Sequence, residues 1–135
     1  MESKTLSNLS LLAGRTMLSV VFIMAGISKI GAYAGTQAYM ESVGLSGLLL
    51  PPVIALEIAG GLAILVGYQT RVAALLLAGF TLVAAIIFHS DFSQQMQTIL
   101  FTKNIAIAGA FLLLYAQGPG DWSLSRSNKA ARVAA

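Results

Sequence analysis

Glu57 has the most chemistry open to it, because of where it sits. It lies near the middle of Leu48–Gly67 (LLLPPVIALEIAGGLAILVG), an apolar run long enough to cross a bilayer. A charge at mid-bilayer costs about 2.5–3.5 kcal/mol, whereas each of the run's eleven Leu, Ile and Val residues contributes about 0.3–0.6 kcal/mol toward insertion. Insertion wins, and the acid is carried into the membrane. A carboxyl held there can pass a proton or hydrogen-bond the polar group of a bound molecule. Its candidate companions are Arg15, Lys29, His89, Lys103 and Asn104.

Lys103 and Asn104 fall just inside the start of another apolar run, Thr98–Gln117. A lysine at that depth must climb outward or find a partner. Helical side chains lean toward the N-terminus of their own helix. Glu57 and Lys103 therefore lean alike if their spans run parallel, and they are the expected pair. Asn104 beside them, His89 at the end of the third span and Lys29 at the mouth would complete a polar pocket. Arg15 is the other candidate partner. Setting Lys29 level with Leu50 puts Glu57 level with Phe22 and leaves Arg15 about 10 Å deeper. Plainer readings stand beside these: Arg15 and Lys29 as cations snorkelling to opposite interfaces, and His89 as an interfacial polar residue.

The elements that must hold these residues are helices. Spans are expected at about 9–30, 48–67, 71–89 and 98–117, forming an all-α four-transmembrane-helix bundle. A polar lead (1–8) precedes them, and a polar tail (118–135) that includes Trp122, Arg126, Lys129 and Arg132 follows, read as solvated. The first span exceeds the 7–15 apolar residues of a secretory signal and contains Arg15, so it reads as retained rather than cleaved. Arg15, Ser19, Gly26 and Lys29 share one face of it. The connector 31–47 is punctuated by glycines, and Thr36–Val43 within it suits a short surface helix. Gly60 and Gly61 share the face of Glu57 and allow close helix approach; Ala55, Ala59 and Ala63 form a second small-residue ridge. Gly67–Thr70 is a tight turn, and Gly118-Pro119-Gly120 stops the last helix. Lys4, Arg15, Arg71, Arg126, Lys129 and Arg132 gather on one side of such a bundle, against Lys29 and Lys103 on the other, which predicts cytoplasmic termini.

Composition excludes much else. Hydrophobic residues make up 57% and charged residues only 10%, too little charge to solvate a globular surface. The net charge of +3 is too sparse for a nucleic-acid footprint. With no cysteine and one histidine, thiolate–metal sites and bis-histidine haem are ruled out. No intrinsic cofactor is expected, and a redox role would borrow its electron carrier.

Several stretches together resemble the DoxX family of small bacterial inner-membrane proteins: GRTMLSVVFIMAGISKI, ALEIAGGLAILVGYQTR, the Phe-His closing the third span, KNIAIAGAFLLL and GPGDWSLS. The resemblance runs from Leu11 to Leu124 and includes Arg15, Gly26, Lys29, Glu57, Gly60, Gly61, Gly67, Arg71, His89, Lys103 and Asn104. The family tail often reads Ser-Leu-Asp, whereas Ser125 stands here in place of the acid. The resemblance implies a multi-pass protein of the bacterial inner membrane, and a link to quinone-dependent redox complexes.

Three functions follow as expectations. The first is an accessory or quinone-linked subunit of a membrane redox assembly, with redox partner proteins or a second copy beside it. The second is a binding or transport module for a small lipophile or metabolite. The third is a purely structural interaction protein whose polar pairs fix helix register.

Overall fold

A computed structural model of the chain describes residues 1–125. Arg126, Lys129 and Arg132, counted above for sidedness, lie outside the described residues. The described residues form α1 (Glu2–Gly31), α2 (Tyr33–Ser42), a 3₁₀ turn (Gly47–Leu49), α3 (Leu50–Val66), α4 (Thr70–Phe88) and α5 (Gln95–Gln117). The four long helices are apolar enough to cross a membrane, and the chain is a four-transmembrane-helix bundle. The short surface helix expected in the connector is α2. Helix α1 begins inside the polar lead, so the first span carries an extension beyond its apolar stretch.

Packing follows the stripes in the sequence. On α1, Arg15, Ser19, Phe22 and Gly26 are buried; on α3, Leu50, Glu57, Gly61 and Ile64 are. Lipid offers no hydrophobic drive for helices to associate, so close approach through small residues must supply it. A Cβ on Gly26 would stand 2.5 Å from Cγ1 of Ile58, and one on Gly61 would stand 2.8 Å from Cγ1 of Ile23 and 3.3 Å from the Ser19 carbonyl. Those two glycines set the α1–α3 register. On the other side of α3, Gly60 receives Leu77 of α4. Of the expected Ala55, Ala59 and Ala63 ridge, Ala63 packs against the core, whereas Ala55 and Ala59 are exposed.

The core is solid at mid-bundle. Phe22 makes an edge contact with Phe111 at 5.3 Å and another with Phe80 at 6.5 Å, above Ile64, Leu77, Ala78 and Leu114. At one end, Gly67 turns α3 into α4 with φ of +73°, and Gly118 stops α5 with φ of +81°. The tail was expected to be solvated. Instead, residues 118–125 fold back on this end: the Ser125 N–H donates to the Gly67 carbonyl at 3.1 Å, and the Ser125 hydroxyl accepts from Gln69 N–H at 3.2 Å.

Candidate functional site

Glu57 is 1% exposed, yet its partner is not Lys103. The ammonium of Lys29 sits 2.8 Å from Oε1 and 3.1 Å from Oε2 of Glu57. The Oε2 contact has hydrogen-bond geometry; Oε1 receives only the ion-pair contact. The pairing follows from register. Glu57 is level with Gly26 rather than Phe22, one helical turn nearer Lys29 than the sequence reading placed it. Helices α1 and α3 are antiparallel, so Lys29 leans inward along α1 while Glu57 leans outward along α3. The two side chains meet.

Lys103 is exposed on the outer face of α5. Its neighbour Asn104 turns inward, and its Nδ2 donates to the Thr81 carbonyl at 3.3 Å. His89 closes α4, with Nδ1 2.8 Å from Oε1 of Gln97. In the loop beyond, Asp91 accepts from the Ser93 hydroxyl and N–H and from Gln94, which holds its carboxyl below the usual carboxylate range.

Lys29, Glu57, His89 and Asn104 border a cavity of about 650 Å³ lined by all five helices. Lys29, Glu57, Thr81, His89 and Asn104 supply its polar part. The remaining wall is mostly apolar, including Phe22, Leu56, Phe80, Ala84 and Ile107. Helix α2 contributes Thr36, Tyr39 and Met40, with Tyr39 stacked on Phe88 at 5.4 Å. Val21 and Val83 also line it, yet they are 47% and 55% exposed within their spans. The cavity therefore reaches the flank of the bundle that faces lipid.

Arg15 belongs elsewhere. It is 2% exposed, and its guanidinium donates to the carbonyls of Pro119 at 2.6 Å, Trp122 at 2.9 Å and Leu65 at 3.3 Å. It is a clamp on the tail, neither a snorkelling cation nor a partner of Glu57. Of the six expected site residues, the structure brings Lys29, Glu57, His89 and Asn104 to one cavity and sends Lys103 and Arg15 away from it.

Thr81, Tyr39 and Phe22 were missed. Phe22 had a signal: with Arg15, Ser19, Gly26 and Lys29 it completes an alternating four-and-three spacing, the stripe of a packed helix face. Tyr39 read as a headgroup anchor, and Thr81 sat among apolar residues with nothing to mark it. Among the described residues, no group of three His, Cys, Asp or Glu side chains is placed to hold a metal ion.

The chain matches the DoxX family over residues 10–90. It is 50% identical over 123 residues to "Inner membrane protein YqjF" of Escherichia coli (strain K12), covering 91% of this chain and 95% of that protein. "Inner membrane protein YphA" of the same strain is 37% identical over 123 residues, covering 86% and 88%. "Putative oxidoreductase CatD" of Bacillus subtilis (strain 168) is 33% identical over 106 residues, covering 73% and 78%. No solved structure matches the chain. With the four-span bundle and relatives that match it nearly end to end, the chain belongs to the DoxX family and is a multi-pass protein of the inner membrane.

Proposed function

We propose that this protein is a membrane-embedded binding subunit for a lipophilic molecule with a compact acceptor head, and that it serves a redox assembly with a quinone as that molecule. The carrying observation is the cavity: apolar over most of its wall, polar at Lys29–Glu57, and open toward lipid at Val21 and Val83. Its volume of about 650 Å³ falls among pockets that enclose small organic ligands, about 300–1,000 Å³. Lys29 would donate to a ring carbonyl, with Glu57 fixing its position, and the apolar wall would take an isoprenoid chain. A bound quinone supplies two-electron, two-proton chemistry. The redox half of the reading is supported by the name of one relative, a putative oxidoreductase.

The test is a melting measurement in detergent with two ligands, a short-chain prenylated benzoquinone and an isoprenoid hydrocarbon of the same chain length. Saturation at a hundredfold over Kd stabilises a protein by about 2.7 kcal/mol. The quinone should raise Tm by several degrees, the hydrocarbon by less, and neither should act on Ala84→Phe, which fills the cavity. An equal quinone shift in Ala84→Phe would refute the site. We also place the termini end in the cytoplasm, on the count of basic residues. Cysteines introduced singly at positions 38 and 93 should then label from outside, and one at position 69 should not.

A further inference from the structure

Lys103 is the intramembrane charge that the cavity does not use. Its neighbour Asn104 reaches the Thr81 carbonyl, about two turns or about 10 Å inside the end of α4. Lys103 therefore sits at that depth while facing outward from the bundle. A charge deep in a transmembrane helix normally pairs with another group.

Among the described residues, Lys103 has no acidic partner. The chain has five acids, and each is placed. Glu2 starts α1 at the far end of the bundle, and Glu41 closes α2. Glu57 is buried against Lys29, Asp91 is in the α4–α5 loop with Ser93 and Gln94, and Asp121 pairs with Lys4 at 3.2 Å. A second copy would bring the same five. Its one acid at membrane depth would be equally buried, so self-association leaves Lys103 unmatched. On the face of Lys103, Ala106 and Ala110 follow one and two turns further on and are short, so a neighbouring helix can approach closely there.

We infer that this face of α5 docks a transmembrane helix of a different protein, one carrying an Asp or Glu at the depth of Lys103. The inference is independent of the ligand in the cavity.

The experiment uses the full chain in its native membrane, with a photo-crosslinking amino acid in place of Ala106 and a control at Val72 on the lipid face of α4. The expected product is an adduct, absent from the control, whose partner peptide is a transmembrane segment containing an acid. Lys103→Met should lower its yield roughly tenfold, the scale of a strong interhelical polar contact. Lys103→Glu should abolish it, and replacing the partner's acid with lysine should restore it in the Lys103→Glu background. Adducts to lipid alone, to a second copy, to a protein whose capture ignores Lys103, or no adduct at all would each overturn the inference. Unchanged melting of Lys103→Met in detergent shows that any lost yield is not misfolding.

Discussion

The two ends of this bundle each hold a cation, and they satisfy it in opposite ways. At the termini end, the two terminal nitrogens of Arg15 are held by three backbone carbonyls, two of them from the tail, and its buried Nε faces no acceptor. At the cavity end, Lys29 meets one carboxylate and retains partial exposure, 30% of its side chain, beside open volume. A planar fork of donors held by main-chain oxygens can only lock a conformation. An ammonium on a flexible stem, tethered at one point, keeps donor capacity for a ligand. The contrast teaches that an intramembrane charge is not by itself a functional site; what matters is whether its partners leave it anything to do.

The largest expected effect is at the lock. Arg15→Met strands three carbonyls and frees the tail, and should lower stability by about 3–5 kcal/mol, the scale of losing several hydrogen bonds from a charged donor. Melting curves, together with protease cleavage between residues 118 and 125, would show both consequences. Arg15→Lys should not rescue it, because an ammonium cannot reach three divergent acceptors. Full stability in Arg15→Lys would erase the contrast between the two ends.

At the cavity end, Lys29→Met and Glu57→Gln should each cost about 2–3 kcal/mol, less than the lock because Lys29 is partly exposed. The double variant should recover part of that loss, giving a coupling above about 1 kcal/mol where independent sites add within about 0.5 kcal/mol. Gly26→Ala probes the register that delivers Lys29. Its new methyl would collide with Ile58, and about 1–3 kcal/mol of destabilisation is expected in the same melting assay. The smallest effect belongs to Lys103→Met, within about 0.5 kcal/mol for the isolated protein, since that ammonium is exposed and forms no ion pair among the described residues. A loss comparable to that of Lys29→Met would return Lys103 to the cavity.

Much of the fold was legible because membrane insertion writes it into composition: four apolar runs, a glycine turn, a Gly-Pro-Gly stop and a short connector helix. The inward direction of Glu57 was legible too, from the glycines on its face. Register was not. Leaning side chains correctly argued against Arg15, but the reading assumed that Lys29 and Leu50 stand at the same level. The contacts of Gly26 and Gly61 shift α1 against α3 by about one turn, and that turn transfers Glu57 from Lys103 to Lys29. The Arg15 clamp was invisible for another reason: backbone carbonyls belong to every residue, so no side-chain type announces them. Thr81 contributes to the cavity end through just such a carbonyl.

The most direct test of the cavity as a binding site uses the Lys29→Met, Glu57→Gln double variant, which removes the polar head contact while leaving no stranded charge and the apolar wall intact. Its melting temperature is measured with and without the prenylated benzoquinone, beside the wild-type protein. The account predicts a rise of several degrees for the wild type and little or none for the double variant. An equal rise in both would contradict it, because the ligand would then be held without the Lys29–Glu57 pair.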